Sequence, residues 1–243
     1  MARLCRRLSK KDKVEKHSAF YDSMKLMQIG ADRRRLLGRM EFRVLSAEAV
    51  KPEVDEIDVL RSAEYALLSV LLGQAPSGDL LSRVADLRGD ATPLGLAHIE
   101  LADAARAIDE TVAGREYFNL FIGVGRGELL PYGSYYQTGF LHERPLARVR
   151  EDLAELGVER AGHMREPEDH IAILCEIMAG MARGDFLADT ARQGQFFERH
   201  IQPWAARFFA DLETTGAAQF YKSVGRVGRT FIELESEAFR LPH

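Results

Sequence analysis

The 243-residue chain holds only two cysteines, Cys5 and Cys175, and a single tryptophan, Trp204. Two thiolates cannot build the four-ligand sites of zinc ribbons or iron–sulfur clusters, and a chain of this length buries a core without disulfide staples. Both cysteines are therefore expected as free thiols. No apolar run approaches the roughly 20 residues that span a bilayer, which excludes a membrane helix. The charged start is not followed by an apolar stretch and a small-residue cleavage site, so a secretory signal is not expected and a cytoplasmic location is. Sustained period-two alternation is missing, as is any repeat of fixed length. Lysine becomes scarce past the beginning: five of the seven lie within the first 25 residues.

What is present is an ordinary globular composition, 46% hydrophobic and 29% charged, with its charge unevenly divided. Residues 1–50 carry a net charge of +7, from 13 Lys and Arg against 6 Asp and Glu; residues 51–243 carry −11, from 20 against 31. An acidic body repels nucleic-acid backbones and concentrates cationic partners near it. We divide the chain at this shift, into a basic N-terminal extension over residues 1–52 and a main domain over 53–243. The extension reads as a solvated, poorly ordered segment. The alternative has Phe20, Met24, Met27 and Leu36-Leu37 in helices that dock on the body or exchange between two copies.

Along the main domain the apolar residues recur at helical spacing. Val59, Leu60, Ala63, Leu67, Val70 and Leu71 predict a helix that ends at Gly73. Leu80 to Leu87 predict a short one capped by Ser77 or Asp79, and Thr92-Pro93 opens a third. Tyr117, Leu120 and Phe121 belong to a fourth. From Gly123 to Gly139 six Gly and Pro residues break the rhythm and predict a long ordered loop. Helices resume at Pro145, with Gly157 as the stop, and at Glu166-Pro167, with Ile171, Leu174, Cys175, Met178 and Met181 as an apolar stripe. Phe196 to Phe208 form another, kinked or restarted at Pro203, and Phe220 to Leu234 the last. The fold class is all-α, a globular bundle of about eight helices.

Few residues offer chemistry. Gly123-Val-Gly-Arg-Gly could cradle a phosphate, yet it lacks the preceding strand and the Lys-Ser/Thr of a phosphate loop. Glu166 and His170, four apart on the expected helix, could share a metal, but the carboxylates and second Glu-x-x-His pair of a di-metal bundle are missing. Cys175 and His170, five apart, would point to different helix faces and make no nucleophile–base pair. The Met178 and Met181 stripe reads as core, although methionine also suits grooves that accept varied apolar helices. No metal and no cofactor are expected.

Two stretches read together resemble a known family. Tyr117-Phe-Asn-Leu-Phe121, running on to Gly127-Glu-Leu-Leu-Pro131-Tyr132-Gly-Ser134-Tyr135, is similar to the Y-x-x-L-F helix end and the P-x-x-S-x-Y loop of the TorD/DmsD/NarJ group of molybdoenzyme-specific chaperones. Glu166-Pro167-Glu168-Asp169-His170 is similar to that group's E-P-x-D-H signature. The resemblance covers about residues 57–240 and implies an all-α protein that binds rather than catalyses. Its partners would be an apo-molybdoenzyme catalytic subunit and the N-terminal leader of that subunit, commonly a twin-arginine signal peptide. It also implies the site residues: Leu120, Phe121, Pro131, Tyr132 and Tyr135 as an apolar wall, with Ser134 in the same loop. Glu166, Asp169 and His170 come from the signature, Asp169 as acceptor for an arginine and His170 as a ring that donates or stacks. The alternative is that the signature acts as a hinge positioning the loop. The wording of residues 125–132 and 169–172 looks most like members associated with formate dehydrogenases, with dimethyl sulfoxide or trimethylamine N-oxide reductases as second choice. Neither nucleic acid nor a membrane span is expected, and the chain would be a monomer or a domain-swapped homodimer. From a different class, a small helical hydrolase would use Asp169 and His170 as base and orienter.

Overall fold

The computed structural model describes residues 43–44, 54–159, 166–185, 187–216 and 218–241. Among these the chain forms ten α-helices: α1 (Glu56–Gly73), α2 (Gly78–Ala85), α3 (Pro93–Arg106), α4 (Glu110–Tyr117), α5 (Gly133–Thr138), α6 (Arg144–Glu155), α7 (Ile171–Ala182), α8 (Thr190–His200), α9 (Ala205–Thr214) and α10 (Phe220–Ala238). A π-helical turn, Phe118–Ile122, extends α4. The only strands among the described residues are β1 (Arg43–Val44) and β2 (Val158–Glu159), antiparallel with Val44 opposite Val158. No described helix is long and apolar enough to cross a membrane. Apart from β1, the proposed extension over 1–52 and Cys5 lie outside the described residues.

Local chemistry accounts for most helix starts. Asp55, Ser77, Thr92, Asp109 and Asp189 each accept a bond from the backbone amide three residues on, satisfying one orphan donor of the first turn. The bundle is organised around α7, whose twelve residues, Glu176 among them, are all buried, as a helix apolar on nearly every side must be. It packs most extensively on α1, which buries every residue from Leu60 to Leu72 except Ala63. Next come α9 and α10, brought together by two glycines: a Cβ on Gly225 would stand 2.6 Å from the Glu213 amide, and one on Gly228 would enter the Phe209 ring. Cys175 is a buried free thiol in α7.

Three expectations need correction. The Gly123–Gly139 stretch is not loop throughout: α5 lies inside it, because its glycines stand at the helix ends rather than its middle, Gly133 opening it and Gly139 closing it at φ 84°. The helix expected from Glu166 begins at Ile171, with Glu166–Asp169 as a turn and His170 as its cap. The Phe196–Phe208 helix is two, α8 and α9, separated at Pro203, which lacks the amide a continuous ladder needs. These changes raise the expected eight helices to ten.

One polar cluster is enclosed by the bundle. Arg61 on α1 donates through Nε and Nη2 to both oxygens of Glu235 on α10, at 2.9 Å each, and through Nη1 to Asp58 and Gln193. Tyr65 adds its hydroxyl to Glu235 at 2.8 Å. Three helices are thus tied at one point, with both carboxylate oxygens filled.

Candidate functional site

The π-helical turn brings the first motif to the surface in an unusual setting. Its sequence, Phe118-Asn-Leu-Phe-Ile122, has more apolar side chains than one helix face can bury. Leu120 is buried and Phe121 packs half-buried on Tyr117 and Tyr221. Phe118 and Ile122 stay exposed, and Val124 just beyond is 97% exposed. The chain then doubles back: the Glu128 amide donates to Asn119 O and the Leu129 amide to Leu120 O. Gly127 is required there, since a Cβ would meet the Phe121 backbone carbon at 2.5 Å. Surplus apolar residues at a non-standard turn are a common mark of a binding surface.

The second half of the loop is fastened to the E-P-x-D-H segment. Tyr132 and His170 form an antiparallel bridge: the Gly133 amide donates to Asp169 O, and the Ile171 amide to Pro131 O, both at 2.9 Å. The Ser134 amide donates to Asp169 Oδ2 at 2.7 Å, and the Tyr132 hydroxyl donates to exposed Glu166 at 2.5 Å. Tyr132 sets its ring edge on His170, 5.1 Å between centroids. The two motifs, 35 residues apart in sequence, form one joint.

That joint disposes the expected site residues in two ways. Tyr132, Tyr135, Phe121 and Glu166 remain open to solvent in whole or part, whereas Leu120, Pro131, Ser134, Asp169 and His170 are buried. Asp169 is 1% exposed and its engaged oxygen is spent on the Ser134 amide, so it is a positioning residue in this arrangement and presents no open carboxylate to an arginine. Its Oδ1 and the Ser134 Oγ are both buried without a hydrogen-bond partner in the protein. His170 is 5% exposed, and its Nδ1 accepts the Ala172 amide at 3.1 Å to cap α7. Burial pushes its pKa down to about 4, against the pull of Glu166 and Asp169, so the ring is neutral near pH 7. A buried, neutral, capping imidazole beside a buried carboxylate gives the hydrolase alternative no accessible base. Among the described residues no cluster of His, Cys, Asp and Glu could hold a metal.

Sequence reasoning missed two parts. One is the exposed trio Phe118, Ile122 and Val124, whose signal was the surplus of apolar residues around Leu120. The other is a groove of about 380 Å³ lined by Arg126, Leu129, Tyr135, Tyr136, Arg207 and Asp211 among others. There Arg126 donates to the Tyr135 hydroxyl at 2.8 Å and lies over its ring. Tyr136 donates to Asp211 and packs on Trp204 and Phe208. Burial and that bond push the Tyr136 phenol well above its usual range.

The described residues form an all-α bundle in which the two motif loops are locked together. The profile of the family described as nitrate reductase delta subunit matches residues 87–210, just over half of the chain, which therefore belongs to that family, within the TorD/DmsD/NarJ group. Among curated relatives, the chaperone protein TorD of Vibrio cholerae serotype O1 is 28% identical over 127 residues, 49% of this chain and 58% of the relative. The TorD of Aliivibrio fischeri is 27% identical over 158 residues, 56% of this chain and 74% of the relative. The chain thus spans little more than half the length of the first of these. A crystal structure from Archaeoglobus fulgidus, provisionally named as a redox enzyme maturation protein, covers 77% of this chain and 99% of its own at 22% identity and a TM-score of 0.49. The two curated relatives are named as chaperones.

Proposed function

We propose that this protein is a cytoplasmic chaperone that holds the N-terminal leader of a molybdopterin-containing oxidoreductase and keeps the catalytic subunit competent for cofactor insertion. The observations that carry the reading are the exposed apolar side chains of Phe118, Ile122 and Val124 and, in the second half of the same loop, Tyr132 bonded to the exposed carboxylate of Glu166. Tyr117 links the two, because burial and then the Glu166 carboxylate raise its phenol to about 12. Exposed apolar side chains and an exposed carboxylate on one loop assembly suit a leader whose arginines precede an apolar stretch. Glu166 takes the acceptor role first assigned to Asp169. The preferred client is a formate dehydrogenase, on the wording of residues 125–132 and 169–172.

Calorimetry of a synthetic twin-arginine leader against the full chain tests the site. Tyr132→Ala is expected to weaken binding at every salt concentration, by about 2 kcal/mol if Tyr132 is an anchor. Glu166→Gln is expected to weaken it chiefly at low salt, where an exposed ion pair is not screened. Equal salt slopes for wild type and Glu166→Gln would remove Glu166 from the arginine site, and absence of binding by wild type would overturn the leader reading. Co-purification from the native host identifies the client.

A further inference from the structure

The groove lined by the loop, α5 and α9 has no part in the leader reading, and its polar atoms suit a ligand of the opposite charge. We propose that it binds an extended acidic segment of a protein partner, with carboxylates seated at Arg126 and Arg207. The inference does not depend on leader binding.

Two cations stand in one row. Arg126, in the loop, and Arg207, on α9, are both exposed and line the same groove. Among the described residues neither is paired with a carboxylate; each lies over a tyrosine ring instead, Arg126 at 5.3 Å from the centre of Tyr135 and Arg207 at 5.8 Å from that of Tyr136. The two rings meet edge to face at 6.0 Å. The tyrosines therefore position both guanidinium groups without neutralising either. Tyr135 adds a donor: its oxygen accepts from Arg126 Nη2 at 2.8 Å, which leaves the phenol hydrogen for a ligand. A carboxylate placed there receives an O–H and a guanidinium N–H together, the stronger, charge-assisted kind of bond.

Acceptors line the same groove. Asp211 takes the Tyr136 hydroxyl through Oδ2 at 2.9 Å, and Glu128 takes the Thr215 hydroxyl through Oε1 at 2.7 Å. Each bond uses one oxygen, so the second oxygen of each carboxylate is left for a further donor. This mixture selects among anions. A phosphate group concentrates its charge at one point and would be repelled by Asp211 and Glu128 within the same small groove. An extended peptide instead spaces single carboxylates along its length and offers amide N–H groups to the acceptors between them. Half-buried Leu129 and Leu130 give an intervening side chain an apolar surface. The volume, about 380 Å³, falls within the range of about 300–1,000 Å³ usual for ligand sites. A leader's arginines would meet like charge here, so this groove and Glu166 prefer opposite partners.

Calorimetry of the full chain with the acetylated, amidated peptide Glu-Leu-Glu-Leu-Glu tests the inference, with Gln-Leu-Gln-Leu-Gln as the control. Wild type is expected to bind the first and not the second, more weakly as salt rises. Arg207→Gln is expected to weaken binding about three- to fivefold, and Arg126→Gln combined with Arg207→Gln about tenfold. Both side chains are exposed, so the variants should keep the wild-type helical circular-dichroism signal. Arg207→Gln should bind a twin-arginine leader as wild type does; a parallel loss of leader affinity would make the groove part of the leader site and overturn it as a separate one. Failure of wild type to bind any leader ends the leader reading, while acidic-peptide binding that is lost in the double variant still supports this one. No binding of the acidic peptide by wild type, or equal affinity in wild type and the double variant, overturns the inference. Displacement of the peptide by equimolar inorganic pyrophosphate assigns the groove to phosphate ligands and overturns the peptide as its occupant.

Discussion

Two buried carboxylates in this molecule are treated in opposite ways. Glu235, where α1, α8 and α10 meet, has both oxygens filled by Arg61 and one shared with Tyr65. Asp169, where the two motif loops meet, has one oxygen on the Ser134 amide and the other with no partner, beside a Ser134 hydroxyl in the same condition. A fully satisfied network fixes its surroundings, because each loss exposes a buried charge; a half-satisfied one costs little to rearrange. The difference separates the part of the bundle that must hold still from the joint between the two motif loops.

The largest effect is expected from breaking the first network. Glu235→Ala leaves the Arg61 guanidinium buried beside Phe239 without its main partner, and urea unfolding should show a loss of about 3–5 kcal/mol.

A second effect, on the order of 3 kcal/mol over its full range, comes from His170. Its folded pKa of about 4 lies below the ordinary 6.5, owing to burial. The unfolded chain therefore binds a proton that the folded chain refuses, and stability falls as pH drops from about 6.5 to 4. Glu176 works against it: burial, aided by Asp185, raises its carboxyl to about 7, so its stability contribution grows as pH drops from about 7 to 4.5. The two should nearly cancel in wild type. His170→Asn keeps a capping side chain and removes the titration, so its stability should rise on acidification toward pH 5; a wild-type-like profile would contradict the assignment.

Smaller still are two matched hydroxyl deletions. Tyr65→Phe removes a bond to Glu235 and should cost about 1 kcal/mol, whereas Ser134→Ala removes a hydroxyl that bonds to nothing and should change stability by less than about 0.5 kcal/mol. A large cost for Ser134→Ala would erase the contrast between the two sites. Asp169→Asn, which still accepts the Ser134 amide, should likewise stay within about 1 kcal/mol.

Sequence determined most of the helices, their caps at Ser77 and Thr92, the stop at Gly157 and the family motifs, because these depend on neighbours a few residues apart. Periodicity identified α7 as a helix, and its composition, apolar everywhere but at Glu176, agrees with its central position. Only the tertiary structure decided which motif residues are available. Asp169 and His170 looked like ligands in a linear signature, yet the return of the 127–132 segment onto Asp169 and Ile171 encloses them and turns one into a loop fastener and the other into a helix cap. Conversely Phe118, Ile122 and Val124, to which the sequence reading assigned no role, lie outside, the first two on the π-helical turn whose Leu120 is buried and Val124 just beyond it. Burial depends on contacts across 35 residues or more, and no local pattern encodes which of several apolar residues the fold will cover.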